Sequence, residues 1–273
     1  MRSRLDRFAA ICSCALLLGG SAVAQSDEWN SLIQETQTLY RQGKYDRAVV
    51  AATKAREIAE RELGPEHPAV ATSLNNLALL YDAQGQYSAA EPLYKRSLAI
   101  REKSLGPEHP DVASSLNGLA ALYQAQGQYT AAEPLYRRSL AIREKALDPD
   151  HLGVATSLNN LAELYRAQDR YVAAEPLHKR SLAIREKVLG PEHPDVATSL
   201  NNLALLYQAQ GRYVVAEPLY KRSLAIWEKA LGPEHPNVAA SLESISDLYT
   251  GMGKAEEAKQ FADRAAKIRA LKR

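Results

Sequence analysis

Cysteine is almost absent from this sequence. The only two among 273 residues are Cys12 and Cys14, near the N-terminus. The segment after residue 24 contains none. That part owes no stability to disulfides, and it can enter an oxidising compartment without mispairing.

The amino-acid composition differs from that typical of an all-β protein. The sequence contains two Phe, two Trp and 13 Pro, whereas Ala and Leu dominate a hydrophobic content of 46%. Sandwiches and barrels draw on many short strands rich in β-branched and aromatic residues. The composition therefore disfavours those folds and still provides enough apolar residues for a core.

Neither sign of charge is in large excess. The protein has 34 Lys and Arg against 32 Asp and Glu, a formal charge of +2. Without residues 1–24, which hold three Arg and one Asp, 31 residues of each sign remain. Proteins that bind nucleic acid or anionic membranes through charge present a basic excess. The balance supports neither partner, and we expect no nucleic acid ligand.

The first 24 residues have the features of an export signal. Three Arg lie within the first seven residues, an apolar run of about ten residues follows, and Ala22-Val23-Ala24 forms a cleavage motif. Ten apolar residues are too few to span a bilayer, which needs about 20. We expect a mature protein that begins at Gln25, lacks stable membrane insertion, and is exported to the periplasm or secreted in a bacterium.

A hexapeptide recurs with a fixed period of 42 residues. LGPEHP stands at 63–68, 105–110, 189–194 and 231–236, with a degraded copy, LDPDHL, at 147–152. A fixed period of 20–50 residues is typical of stacked repeats. The predicted organisation comprises a signal peptide (1–24), a worn N-terminal repeat (25–64), four regular repeats (65–236) and a C-terminal repeat with a capping helix (237–273).

Each regular repeat is predicted to be a pair of helices. Val70, Leu74, Leu77 and Tyr81 fall on one helical stripe, and Pro68 suits the first helical position. A second apolar stretch follows the turn Gln84-Gly85-Gln86. We expect helices of about 14 and 16 residues, the second opened by a capping box of Ser88 and Glu91. Such a pair cannot bury its stripe alone, so neighbouring pairs must stack.

The spacing of large and small residues resembles that of the tetratricopeptide repeat family. The residues that carry the resemblance in the first regular repeat are Leu74, Leu77, Ala78, Tyr81, Gly85, Tyr87, Ala90, Tyr94 and Ile100. The 42-residue period, with LNNLALLY at 74–81 and AEPLYKRSLAIREK at 90–103, is similar to the kinesin-light-chain subclass. We therefore expect an all-α, right-handed α-solenoid of about six helix pairs. The resemblance implies that an extended peptide or protein segment binds in a concave groove lined by the first helices.

Variation among the copies gathers on one face of the first helix. The position of Leu79 holds Ala, then Glu, then Leu again in the later copies, and the position of Asp82 holds Gln, Arg and Gln. The residues of the apolar stripe barely change. Residues 75, 79 and 82 share a helix face. This face either reads a partner or drifts as a solvated surface. The candidate partner-binding residues are Asn75, Asn76, Leu79, Asp82, Asn117, Gln124, Asn159, Asn160, Glu163, Arg166, Asn201, Asn202, Leu205 and Gln208.

The asparagines on this face allow two interpretations. Asn is a mediocre helix former, costing about half a kcal/mol relative to Ala. Its amide can pair with an extended peptide backbone, and the family resemblance implies that these residues hold the backbone of a ligand. Alternatively, one Asn of each pair bonds to the adjacent helix as a structural bracket.

Other polar residues indicate no catalytic or metal site. His67 and its copies at 109, 151, 193 and 235 are too far apart to share one ion, because stacked helices lie about 8–10 Å apart. We expect each to brace the loop before its helix, and His178 to replace Tyr as packing. Arg101–Glu102 and Arg143–Glu144 are interpreted as solvated pairs, while the role of Trp227 stays open. No cofactor motif is present.

These features favour a non-catalytic protein-protein interaction scaffold. A second possibility is a structural component of a cell-envelope assembly that uses edges or termini of the solenoid. No set of residues points to an enzyme substrate, and the sequence does not decide the oligomeric state.

Overall fold

The computed structural model describes residues 27–271, which form twelve helices with no strand among them. The predicted signal segment and the cleavage site before Gln25 lie outside these residues. The helices are α1 (Asp27–Arg41), α2 (Tyr45–Leu63), α3 (Pro68–Ala83), α4 (Tyr87–Leu105), α5 (Pro110–Ala125), α6 (Tyr129–Ala146), α7 (Leu152–Ala167), α8 (Tyr171–Leu189), α9 (Pro194–Ala209), α10 (Tyr213–Leu231), α11 (Pro236–Gly251) and α12 (Ala255–Ala270). Odd-numbered helices are the first of each pair. The predicted all-α fold of six helix pairs is confirmed. None of these helices combines the length and apolar character needed to cross a bilayer.

The protein divides into two compact units of three helix pairs. Unit 1 ends at Asp148 with α1–α6, and unit 2 begins at Pro149 with α7–α12. The division falls within the degraded LDPDHL copy. There α6 is followed by Leu147 in an extended conformation (φ −122°), whereas α4 is followed by Gly106 at φ +87°. The missing glycine changes how the helix ends, because residues with a Cβ atom rarely adopt positive φ.

The recurrent histidines cap the first helices, which confirms their predicted bracing role. The His67 side chain accepts a hydrogen bond from the backbone N–H of Ala69 through Nδ1, at 3.1 Å, and Pro68 occupies the first helical position. The bond satisfies one of the N–H groups that a helix start leaves unpaired. The same cap is made by His109, His151, His193 and His235.

The second helices begin earlier than the sequence predicted. α4 begins at Tyr87, and its N-cap, Gln86, makes no capping bond through its side chain, so the expected capping box of Ser88 and Glu91 is wrong. Gly85, at φ +77°, turns the backbone sharply enough for Tyr87 to enter the helix at once. The observed lengths are 16 residues for α3 and 19 for α4, both longer than expected.

The predicted stripe forms the core within each unit. Val70 and Leu74 are fully buried in unit 1, as are Val154 and Leu158 in unit 2. Neighbouring pairs share this core: Tyr94 of α4 packs in one cluster with Leu119 and Leu122 of α5. Burying each such residue contributes about 1.5–3 kcal/mol. Stacking therefore supplies the burial that a lone pair lacks.

Arg101 and Arg143 are buried, so their interpretation as halves of solvated ion pairs is wrong. Arg101, 6% exposed, donates to the backbone oxygen of Asp111 and to Ser115 Oγ on α5, and also to Thr72 Oγ1 on α3. Burial lowers the pKa of Arg101. Glu102 pairs instead with Arg138 on α6, at 2.7 Å. The buried guanidinium thus joins two successive repeats.

Two further positions acquire a structural role. Ser97 donates through Oγ to the Ala71 carbonyl at 2.8 Å and so ties α4 to α3. Ser139, Ser181 and Ser223 make the same bond in their repeats. Trp227, at the position of Arg101, is partly buried against the α9–α10 core around Leu200 and Ile226. Its role is packing.

Candidate functional site

The fourteen candidate residues lie on the first helices, and we call the side of each first helix that carries them the first-helix face. Unit 1 presents its six from α3 and α5, and unit 2 its eight from α7 and α9. None is fully exposed. The six that are buried are Asn75, Leu79, Asp82, Asn117, Asn159 and Asn202. The polar side chains of this surface are therefore buried or partly buried, and none of them is fully solvated.

In unit 2 one pair of asparagines forms a bracket between neighbouring helices. Asn202 on α9 donates through Nδ2 to Oδ1 of Asn159 on α7, at 3.0 Å, and both residues are buried. The sequence allowed either ligand binding or a structural bracket for these asparagines, and this pair forms a bracket. The bond links the second Asn of one repeat to the first Asn of the repeat before it.

Unit 1 lacks this bracket because its partners are missing. The position equivalent to Asn202 on α5 is Gly118, where a Cβ atom would lie only 2.4 Å from Cε1 of the Tyr94 ring. Asn75 Oδ1 is therefore buried with no hydrogen-bond partner among the described residues. One repeat earlier, Ile33 stands where an acceptor for Asn76 would be, and Asn76 Nδ2 is likewise unpaired within residues 27–271.

Asn76 also borders a small cavity in unit 1. The cavity has a volume of about 10 Å³, and its remaining lining residues are Thr36, Gln37, Tyr40, Leu79 and Leu80. About one water molecule needs a space of this size. The unpaired amide of unit 1 therefore adjoins a recess between α1 and α3.

Unit 2 carries a charged cluster on the same face. Glu163 contacts Arg166 at 2.8 Å and, through Oε1, Nε2 of His178 on α8 at 3.2 Å. His178 is 1% exposed. Burial opposes ionisation of Glu163, but His178 and Arg166 outweigh it and lower its pKa to about 2. Glu163 is therefore an anion at any physiological pH.

This cluster replaces a neutral link found in other repeats. The Tyr136 hydroxyl donates to Gln124 Oε1 at 3.1 Å, and the Tyr220 hydroxyl to Gln208 Oε1 at 2.6 Å. The shorter His178 ring contacts Glu163 instead, one helical turn earlier than Arg166. His178 is thus more than packing in place of Tyr. The coincident change of all three residues in one copy was the sequence signal for the cluster.

The sequence did not predict a polar ladder that involves the stripe tyrosines. The Tyr123 hydroxyl donates to Glu91, which also pairs with Lys95, at 3.0 and 2.7 Å. Lys95 and Tyr123 lower the pKa of Glu91. In unit 2, Glu175 and Glu217 accept from Tyr207 and Tyr249 in the same way. Each glutamate links its second helix to the first helix of the following repeat.

The described residues offer no arrangement for a metal. No three His, Cys, Asp or Glu residues between positions 27 and 271 lie close enough to hold an ion together. The chemistry of the first-helix face is that of hydrogen bonding by amides and of one charged cluster.

The family model of the tetratricopeptide repeat matches this protein in overlapping segments. They span residues 37–103, 89–145, 111–187, 153–223 and 195–270. The chain therefore belongs to the tetratricopeptide repeat family, whose members are generally non-catalytic protein-protein interaction scaffolds.

Solved structures place the protein near the kinesin-light-chain-like members of that family. The nearly identical TPR-like repeats of a Podosopora anserina protein assigned to the kinesin light chains share 34% identity, over 76% of this chain and 99% of that one, with a TM-score of 0.64. BtubC (BKLC) from P. vanneervenii shares 25% identity over 90% and 92%, with a TM-score of 0.68. The pilus biogenesis factor PilW, at 17% identity over 87% and 91% and a TM-score of 0.61, shares the fold alone. No curated protein sequence matches this one.

Proposed function

We propose that this protein is a non-catalytic scaffold that binds an extended segment of a partner protein on its first-helix face. Membership of the tetratricopeptide repeat family supports a role as a protein-protein interaction scaffold. The observation that carries the finer proposal is the pair of buried amide atoms in unit 1, Asn75 Oδ1 and Asn76 Nδ2, which have no partner among the described residues.

These two atoms match the polar groups of a peptide backbone. A buried polar atom without a partner costs about 1–3 kcal/mol. Oδ1 of Asn75 can accept from a backbone N–H group, and Nδ2 of Asn76 can donate to a backbone carbonyl. An extended peptide, which presents both groups along its length, is the ligand that supplies them together.

The variable residues would add local preferences along the bound segment. In unit 2, Glu163 and Arg166 are each partly exposed, while Leu205 offers an apolar contact on the next first helix. A partner segment with complementary charge would meet this cluster. The proposal thus assigns backbone capture to the amides and selectivity to residues that differ between copies.

The test separates amides that bind from amides that brace. Peptides selected from a random displayed library against the mature protein serve as probes. Asn75→Ala with Asn76→Ala should weaken their binding about tenfold or more, near 1.4 kcal/mol, and leave the melting temperature unchanged. The matched control is Asn202→Ala, which removes the observed bracket and should lower the melting temperature.

Two outcomes would overturn the proposal. One is a library that yields no binder. The other is binding that is indifferent to Asn75 and Asn76. If light scattering then showed growth in mass with concentration, independent of these residues, the alternative role as a structural component of an envelope assembly would be favoured.

We also propose that the protein is exported to the periplasm, or secreted, through residues 1–24. Support comes from the basic start, the short apolar run and the Ala22-Val23-Ala24 motif. N-terminal sequencing of the protein recovered from a bacterial host should begin at Gln25. Recovery of the uncleaved protein from the cytoplasm would contradict this.

A further inference from the structure

The Asn159–Asn202 bracket of unit 2 shows which group pairs with a buried asparagine oxygen on the first-helix face. Asn202 donates a side-chain N–H to Oδ1 of Asn159 at 3.0 Å, from the following first helix. Asn159 is 7% exposed and Asn202 is 9% exposed. A carboxamide donor therefore fits beside such an oxygen and satisfies it without burying a charge.

Unit 1 presents the same acceptor without the donor. Asn75 occupies on α3 the position that Asn159 occupies on α7, and it is 6% exposed. Its Oδ1 is buried and has no hydrogen-bond partner among residues 27–271. The two acceptors match in residue type, position and burial, and they differ in whether a donor is present.

The chain cannot supply this donor from the equivalent position of the next repeat. Gly118 stands where α9 has Asn202, and a Cβ atom there would lie 2.4 Å from Cε1 and 2.9 Å from Cδ1 of Tyr94. Tyr94 is 1% exposed and packs in the core with Leu119, so its ring has little room to turn away. A donor for Asn75 therefore has to come from outside the chain.

The surroundings of Asn75 favour a neutral donor. Leu79, one turn further along α3, is 4% exposed, and its equivalent on α5 is Ala121. Asp82 lies about 10 Å further along the helix axis than Asn75 and already has a partner. Because the side chains closest along this face carry no charge, a cation buried beside Asn75 would lose its hydration without an adjacent counter-ion. A carboxamide avoids that cost.

The depth of Asn75 favours a side chain over the main chain of a bound segment. The main chain of an extended segment lies on the surface that it covers, and its side chains project to either side. A carboxamide on an aliphatic stem can reach a buried atom while the main chain stays at the surface. Asn76, which is only partly buried, remains the contact for the main chain.

We propose that the first-helix face of unit 1 recognises an Asn or Gln side chain of the partner segment. The carboxamide N–H of that side chain pairs with Oδ1 of Asn75, as Asn202 pairs with Asn159 in unit 2. This inference rests on the proposed function and names the chemical group that unit 1 selects in its partner.

A double-mutant cycle between protein and peptide tests the contact. The probe is the tightest-binding peptide selected from the random displayed library against the mature protein, labelled for fluorescence anisotropy. It should contain Asn or Gln, and exchange of that residue for Ala should weaken binding about tenfold, near 1.4 kcal/mol. With the Asn75→Ala protein, whose melting temperature should be unchanged, the same exchange should alter affinity less than about twofold.

Two controls locate the contact and define its chemistry. Asn201→Ala changes the residue of α9 that is equivalent to Asn75, and it should leave the roughly tenfold effect of the peptide exchange intact. Peptides with Lys, Ser or Leu in place of the carboxamide residue should bind as weakly as the Ala peptide.

The outcomes separate this inference from the proposed function. Binding that needs Asn75 but tolerates loss of the carboxamide, or accepts Ser or Lys equally well, would overturn the inference and leave the proposed function standing. An exchange effect that persists undiminished in Asn75→Ala would place the carboxamide elsewhere and also overturn the inference. Binding that is absent, or indifferent to both Asn75 and Asn76, would overturn the two together.

Discussion

Units 1 and 2 are built from the same helix pair and share the residues that pack its two helices together. Leu74 in unit 1 and Leu158 in unit 2 are both fully buried, and Ser97 and Ser181 make the same bond to a first helix. These positions are the same in both units because each packs against the same neighbouring residues.

The two units differ on the first-helix face and at the starts of their second helices. Unit 2 has the Asn159–Asn202 bracket where unit 1 has Gly118 and amide atoms without partners among the described residues. It also has exposed valines where unit 1 has Ser88 and Thr130. The same helix pair therefore presents different surface chemistry in the two units.

The largest expected effect tests whether the two cores are equivalent. Leu74→Ala and Leu158→Ala each truncate a fully buried leucine. Each should lower the free energy of unfolding by about 2–5 kcal/mol, from lost burial and the cavity left behind. Urea denaturation of the mature protein measures both. If one variant lost less than half as much free energy of unfolding as the other, the two cores would not be equivalent.

The acid response of unit 2 is the next largest effect. The folded-state pKa of Glu163 is about 2, below its usual 4.5. A lowered pKa stabilises the fold above pH 4.5, and that contribution is lost as the pH falls from 4.5 towards 2. It amounts to at most about 3 kcal/mol. Urea midpoints across this range should fall further for the wild type than for Glu163→Gln; parallel curves would contradict the assignment.

The asparagine bracket should contribute a smaller amount. Asn202→Ala leaves the buried Oδ1 of Asn159 without its donor, which costs about 1–3 kcal/mol. Asn76→Ala removes an amide whose Nδ2 has no partner among the described residues, so it should be neutral or slightly stabilising. Differential scanning calorimetry of the two variants tests this contrast. A greater loss for Asn76→Ala would reverse the roles assigned to the two units.

The smallest expected effect concerns the histidine caps. His109→Ala in unit 1 and His193→Ala in unit 2 each remove one bond to a helix N–H, at 3.1 Å in both. Each should cost about 1 kcal/mol, as for other N-cap losses. Thermal melts followed by circular dichroism should show equal shifts. A shift confined to one variant would mean that this His does more than cap.

Much of the fold could be read from local sequence because its causes are local. The apolar stripe of Val70 and Leu74 and the His-Pro helix start each depend on residues close together in sequence, and the 42-residue period is visible when the copies are compared. The candidate face was likewise visible as the side of the first helix where Leu79 and Asp82 vary. These features required a comparison of the copies in the sequence, but no knowledge of how the repeats pack on one another.

Two predictions failed, for different reasons. The environment of Arg101 depends on a helix of the next repeat, which the local sequence does not reveal. Arg101 precedes Glu102 in sequence and so resembles half of a surface pair, yet α5 covers it and supplies its acceptors. The capping box failed for a different reason. Gly85 turns the backbone within three residues, which places Tyr87 and not Ser88 at the helix start.

The sequence alone determined that this protein is made of repeated helix pairs, since the period is visible when the copies are aligned and the amphipathic stripe depends on residues within a few turns of one helix. Only the tertiary structure decided which polar groups are paired. Whether an amide such as Asn75 or Asn159 finds a partner depends on the residue that the adjacent repeat places opposite it, here Gly118 or Asn202. The distances that settle this run between helices one 42-residue repeat apart.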